Sequence, residues 1–230
     1  MIDLHQVVLP RIPLEEARSV RHVHPGLKPK LKSGRLVLRG PVLVDAKHDA
    51  VRIRDEFQVE LEIPDGYPMV LPQVRLTDDR ISRVMILRGV KDKRDVHVCA
   101  DDSLCLCAPA RGRELFPGGV DLSKFMSELV IPSLYGLSYY EKLGRWPWGE
   151  HSHGLAGLLE SCAEVTRLED PKAEAERVCQ GYGRGDLLSA SDGQMGSMSC
   201  VCGSGQRFER CHQGALRGLR RLRAALAVSP

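Results

Sequence analysis

Residues 55–63, DEFQVELEI, alternate in polarity. Phe57, Val59, Leu61 and Ile63 fall on one face, and Gln58, Glu60 and Glu62 on the other. A period of two predicts a half-buried strand in an antiparallel sheet. Pro64 stops the strand, and PDGYP (64–68) supplies a turn. The apolar and β-branched run RLVLRGPVLV (35–44) predicts a strand before it, and PQVRLT (72–77) a strand after it. A short helix over 14–22, LEEARSVRH, follows Pro13. The basic, proline-containing stretch 24–34 separates it from the sheet.

Beyond residue 120 the period becomes helical. Asp121 can cap a helix over 122–143, with Leu122, Phe125, Met126, Leu129 and Val130 at helical spacing. Pro132 should kink or break it. A Trp-Pro-Trp turn (146–148) leads to a helix near 153–168, and Asp170-Pro171 opens a third helix that ends near 180. Residues 181–199 hold five glycines and few large apolar residues, the composition of a flexible linker. The expected plan is one α+β domain over 1–180, a linker over 181–199, a cysteine module over 200–213 and a basic amphipathic tail over 214–230.

Composition narrows the function classes. The chain has 230 residues, 43% hydrophobic and 27% charged, enough for a packed core. Its net charge of +3 is too weak to argue for a nucleic-acid partner. No apolar run approaches the roughly 18–20 residues that span a bilayer, so no membrane partner is expected. The N-terminal MIDLHQVVLPRIPLEE shows no secretory pattern, which points to the cytoplasm. There, eight cysteines read as ligands, nucleophiles or core residues rather than disulfides.

CVCGSGQRFERCH (200–212) is the strongest local signal. Cys200, Cys202, Cys211 and His212 make a tetrahedral Zn²⁺ donor set, and Gly203 and Gly205 let the backbone turn sharply between them. A unit of about 15 residues buries too little surface to fold alone, so the metal would supply folding free energy. The stretch resembles the SEC-C motif, C-x-C-G-S-G-x5-C-[CH], at every defining position. The resemblance implies a zinc-stabilised docking module and no catalysis. In the tail, Leu216, Leu219, Leu222 and Leu226 form one helical seam with Arg217, Arg220, Arg221 and Arg223 mostly beside it. A solvated helix that packs its leucines on the protein is favoured over a polyanion-binding one.

HVCADDSLCLC (97–107) admits three readings. His97, Cys99, Cys105 and Cys107 could ligate a metal, although no glycine turn accompanies them. Cys99 and Cys107 could be core thiols. Cys105, where the polar ADDS loop gives way to apolar residues, could be a nucleophile exposed on one side and held on the other. Spacing alone does not choose.

The wider pattern bears on the choice. F-x-V-x-L-x-I-P-x-x-Y-P-x-x-x-P-x-V (57–74), followed by Ser103-Leu104-Cys105-Leu106, resembles the core of the ubiquitin-conjugating-enzyme fold. That resemblance covers about residues 10–165. It implies an antiparallel meander with flanking helices and a catalytic cysteine at Cys105. H-x-x-x-D-D-S-L-C-L and YYEKLGRWPWGEHSHGLAGLLE (139–160) further resemble ubiquitin-conjugating-like proteins of bacterial cyclic-oligonucleotide antiphage (CBASS) systems. The resemblance implies a cytoplasmic protein that forms a thioester with a partner, a cGAS-like nucleotidyltransferase or another protein with a conjugatable C-terminus. The family's Asn, eight positions before the cysteine, is replaced by His97, which could donate a hydrogen bond or act as a base. His151 and His153 could approach from the helical side, with a helix cap as the plain alternative. Arg111 and Arg113 are candidate cations to lower the Cys105 thiol. Asp101 and Asp102 would oppose its ionisation but could orient an incoming lysine. No P-loop is present, so an activated donor must come from elsewhere. The competing expectation is an inactive binding module of the same fold.

Overall fold

The structure, a computed structural model, describes residues 14–148 and 152–228. The elements in chain order are α1 (Leu14–Val23), β1 (Lys28–Lys32), β2 (Arg35–His48), β3 (Val51–Glu62), β4 (Gln73–Leu76) and α2 (Arg80–Arg88). Then come α3 (Pro109–Leu115), α4 (Leu122–Phe125), α5 (Ile131–Leu143), α6 (Gly154–Glu164) and α7 (Pro171–Glu176). The chain ends in α8 (Gly185–Ser189), α9 (Asp192–Ser197), α10 (Phe208–Cys211) and α11 (Gln213–Val228). The fold is α+β. It divides into two compact units: the residues before Cys107 together with those from Gly118 to Gly149, and Cys107–Pro117 together with the remainder.

The first unit is built on a four-stranded antiparallel sheet in the order β1-β2-β3-β4. The alternation in β3 sets its register. Val42 faces Phe57 and Leu38 faces Leu61 across the β2–β3 pair. Phe57, Val59, Leu61 and Ile63 are all fully buried. One polar position of β3, Glu60, is also buried, and Lys32 reaches it at 2.6 Å. The buried face is covered by α5, which packs on β2 and β3, with the Tyr135 hydroxyl donating to the Val51 carbonyl at 2.9 Å.

Asp121 caps α4 as its sequence predicts, accepting from the Lys124 amide at 2.7 Å. The interruption expected at Pro132 takes the form of a π turn over Met126–Val130, between α4 and α5. A wider turn tolerates the amide that proline lacks and the room its ring needs. Two elements have no counterpart in the sequence expectations: α2 and a 3-10 turn over Lys93–Val96 lie between β4 and the cysteine-rich stretch. Arg80, which opens α2, is buried beneath it. It bonds Asp55 on β3 and Glu141 on α5, with its guanidinium 4.4 Å from the centre of the Phe57 ring.

The second unit corrects the expected boundaries. α6 and α11 pack together, and Leu155, Leu159, Leu216, Leu219 and Leu222 share one core with Val178, Phe208 and Cys200. A fully buried leucine contributes roughly 1.5–3 kcal/mol, so the tail is an integral part of this core. The helices approach so closely at Gly218 that a Cβ there would lie 1.6 Å from the Leu159 carbonyl oxygen. The glycine-rich stretch 181–199 is not a free linker. Leu187 on α8 and Met195 on α9 are fully buried in the same core, and Ser191 and Gln194 close a capping box on α9. Glycine count misread this stretch because two apolar side chains suffice to anchor two short helices. Beside this core, Arg221 donates to the Ala163 carbonyl at 3.1 Å and to those of Val165 and Thr166, closing the C-terminus of α6. Asp170 caps α7 through the Ala173 amide at 2.9 Å.

Candidate functional site

The stretch 97–105 folds as a small hairpin in the first unit. The Asp102 amide donates to the Cys99 carbonyl at 3.1 Å, and the Cys99 amide to the Ser103 carbonyl at 2.7 Å. Asp102 takes a left-handed conformation, φ 64°, which aspartate tolerates better than most residues. Asp101 tightens the turn by accepting from both the amide and the hydroxyl of Ser103, at 3.1 and 2.6 Å. Val98 and Leu104 pair across the arms, and the Leu104 amide donates to Val74 on β4 at 2.7 Å. The hairpin is thereby hung on the sheet edge. Val98 is buried, while Cys105, one residue past the bridge, is exposed.

His97 is next to Cys105 in space. It caps the 3-10 turn in a left-handed conformation, φ 54° and ψ 46°, and its carbonyl accepts the Cys105 amide at 2.7 Å. Its imidazole stands edge-on to Trp146, with ring centres 4.4 Å apart at 80°. Trp146 in turn stacks on Tyr140 of α5 at 4.8 Å and 11°.

Burial, which raises a thiol, outweighs any cation at Cys105. The Cys105 thiol is pushed up to about 11, first by desolvation and then by the neighbouring Cys99 sulfur. The residue presents surface to solvent, but the protein packed around its sulfur still weakens hydration of a thiolate. Neither expected cation appears among the causes. Arg111 pairs with Glu114 at 2.6 Å, and Arg113 pairs with the buried Glu174, all within the second unit. The two aspartates are engaged within the first unit. Asp101 lies 3.5 Å from Arg75, and Asp102 2.5 Å from Lys93. His153 occupies the N-cap position of α6 in the second unit, exposed and making no side-chain cap bond. His151 lies outside the described residues.

The four C-terminal ligand residues do converge. Cys200, Cys202, Cys211 and His212 bring their donor atoms within 4.8 Å of one another. Cys200 Sγ lies 3.2 Å from His212 Nδ1, and Cys202 Sγ 3.6 Å from Cys211 Sγ. Tetrahedral bonds of about 2.0–2.3 Å give ligand separations of roughly 3.3–3.8 Å, so the set fits one metal ion. Gly203 and Gly205 have φ of 79° and 73°, which lets the loop between the cysteines double back. Ser204 donates to Cys202, whose thiol is pulled down to about 6, while burial pushes Cys200 up to about 12. Among the described residues no other group of three or more such ligands converges, so His97, Cys99, Cys105 and Cys107 do not assemble a second metal site.

No protein-family model, curated protein or solved structure matches the chain. Among the described residues no helix is long and apolar enough to cross a membrane. The supporting aromatic pair Trp146 and Tyr140 escaped the sequence reading, which took Trp-Pro-Trp as a turn. The signal was there: Tyr139, Tyr140, Trp146 and Trp148 crowd ten positions of a chain that is 5% aromatic.

Proposed function

We propose that this protein is a ubiquitin-conjugating-like acyl transferase that works through a thioester on Cys105. The observation that carries the reading is an exposed cysteine on a hairpin hung from β4, at the end of a helix and an antiparallel four-stranded meander. In the proposed step Cys105 Sγ loses its proton to water or a base and bonds the acyl carbon of an activated protein C-terminus. The donor's leaving group departs. An amine or water then attacks the thioester, and the sulfur recovers a proton. The partner that best fits the motif resemblance is a cGAS-like nucleotidyltransferase, and the role proposed with it is cytoplasmic antiphage signalling in bacteria.

The C-terminal cluster is assigned to Zn²⁺, held by Cys200, Cys202, Cys211 and His212. Three sulfurs and one imidazole are the donors of closed structural zinc sites, and the ion would hold this loop folded.

One observation favours a second reading, a binding module without catalysis. A thiol raised to about 11 is almost wholly protonated at neutral pH, with on the order of one molecule in ten thousand ionised. Intact mass of the protein purified with the nucleotidyltransferase, with and without reductant, separates the two. An adduct that thiol releases from wild type, and that becomes thiol-resistant or vanishes in Cys105→Ser, supports the transferase. Unchanged partner binding with no adduct on either protein supports the module.

A further inference from the structure

The side chains of the Trp-Pro-Trp turn have no part in the thioester chemistry or the metal cluster as described above. The turn belongs to the same unit as the Cys105 hairpin. Trp146 is clamped between two rings: its plane lies parallel to Tyr140, 11° off, and nearly perpendicular to His97, at 80°. Space for the turn is kept by Gly136 on α5, where an added Cβ would sit 3.3 Å from Trp146 and 3.4 Å from Trp148. The indole N–H of Trp146 is buried and has no hydrogen-bond partner among the described residues. The ring therefore acts by packing alone, because its only polar atom contributes no bond.

What Trp146 packs against matters for the sulfur. His97 holds a left-handed backbone, a conformation that strains a non-glycine residue and persists only where its surroundings enforce it. Two groups at His97 connect the rings to the reaction centre. The imidazole meets Trp146, and the carbonyl receives the amide of Cys105 at 2.7 Å. The Trp146 ring, itself stacked on Tyr140 of α5, thus fixes the conformation from which the cysteine amide is hung.

We propose that Trp146 is a positioning residue for Cys105, acting through His97, so that the Tyr140–Trp146–His97 stack sets where the cysteine sulfur stands and how far it is desolvated. The role as a support for thioester transfer rests on the function proposed above. The juxtaposition itself does not. His97 contributes its carbonyl, and its imidazole serves as the handle that Trp146 grips.

The test is the rate of Cys105 alkylation by iodoacetamide across pH 7–10, measured by peptide mass spectrometry, with the exposed Cys179 of the same chain as internal control. Trp146→Ala frees the hairpin, resolvates the sulfur and moves the Cys105 profile toward lower pH. About a tenfold faster reaction at pH 8 corresponds to one unit of displacement. Trp146→Phe, which keeps a packing ring and loses no hydrogen bond, restores the wild-type profile. His97→Gly deletes the handle but keeps the left-handed turn without strain, and it reproduces Trp146→Ala. The double variant His97→Gly/Trp146→Ala shows no further displacement, since both remove the same contact. If Trp146→Ala proves unfolded by circular dichroism, the His97→Gly profile decides alone.

A Cys105 profile that stays at the wild-type position in Trp146→Ala and His97→Gly, or additive effects in the double variant, overturns the inference. Equal acceleration of Cys179 overturns it as well, because that reports general loosening. The assay needs no acyl donor. A displaced profile in a protein that never forms a partner adduct leaves the positioning intact and refutes the transferase. An adduct with an undisplaced profile does the reverse.

Discussion

The Asp55 carboxylate on β3 accepts two hydrogen bonds from Arg80, at 3.1 and 2.5 Å, and a third from the Ser138 hydroxyl at 2.5 Å. Arg80 is also paired with Glu141, so one buried guanidinium ties β3, α2 and α5 together. Desolvation opposes the ionised carboxylate, but the bonds from Arg80, Ser138 and the Glu56 amide outweigh it and hold Asp55 near 2.

A carboxyl whose folded value lies below its unfolded value stabilises the fold above the unfolded value. That contribution is present above about 4 and is lost as pH falls through about 2. Allowing for solvent at this half-buried site, it is on the order of 1–2 kcal/mol. Asp55→Asn is therefore expected to lower the melting temperature at pH 7, with a difference from wild type that shrinks between pH 4 and pH 2. Melting curves across that range check it, and a difference independent of pH would refute the assignment.

Cys99 is the second cause of the raised Cys105 thiol, after desolvation. Replacing it removes a neighbouring sulfur that opposes ionisation and leaves the turn bonds, which are made by backbone. Cys99→Ala is expected to bring Cys105 ionisation to lower pH and to speed its alkylation at pH 8 by a few-fold. In wild type the rate should climb about tenfold per pH unit up to pH 10 without levelling. A plateau near pH 8 would mean an unperturbed or activated thiol.

Glu174 is 1% exposed and pairs with Arg113 inside the second unit, with Arg177 at 4.0 Å. Burial is the first cause that pulls Arg113 down, and Glu174 is the drier partner, since the Arg113 side chain keeps 26% exposure. Removing one partner leaves an uncompensated buried charge, which costs roughly 3–5 kcal/mol. Arg113→Met, which leaves the buried Glu174 carboxylate, should thus destabilise this unit far more than Arg113→Met/Glu174→Leu, which removes both charges at similar volume. Chemical denaturation of the single and double variants checks the order, and equal losses would show that the charge is not what matters.

Period and capping made most of the fold legible. The alternation of Phe57, Val59, Leu61 and Ile63 anticipates their complete burial, and Asp121 and Asp170 cap the helices that follow them. The helix α2 was missed because RISRVMILR buries only Arg80 and Val84, leaving Ile86 and Leu87 exposed and its apolar pattern off register. Long-range side-chain placement was not legible either. Sequence spacing brought the C-terminal ligands together because they lie within 13 residues. It did not show that His97 meets Trp146, 49 positions away, or that Arg113 finds Glu174 and not the thiol. Those pairings follow from packing that only the folded chain defines.

The metal cluster is not a detachable appendage. Cys200, one of the four proposed ligands, is 3% exposed, and Phe208, which opens α10 between them, is fully buried in the core that holds Leu159, Leu216 and Leu219. The Phe208 amide donates to the Met198 carbonyl at 2.9 Å, and His212 begins the approach to α11 by accepting the Leu216 amide at 3.0 Å. Losing the ion would release Phe208 and the first turn of α11 together, not merely fray a surface loop. Removal of metal by chelator, or Cys211→Ser, is therefore expected to lower the stability of the whole second unit by several kcal/mol, since structural zinc contributes folding free energy of that order or more. The wild type should carry one equivalent of zinc and Cys211→Ser close to none. Hydrogen exchange then discriminates: amides of α6 should lose protection along with those of 200–212. Unchanged exchange in α6 after metal loss would mean that Phe208 holds its place without the ion, and the cluster would then serve only its own loop.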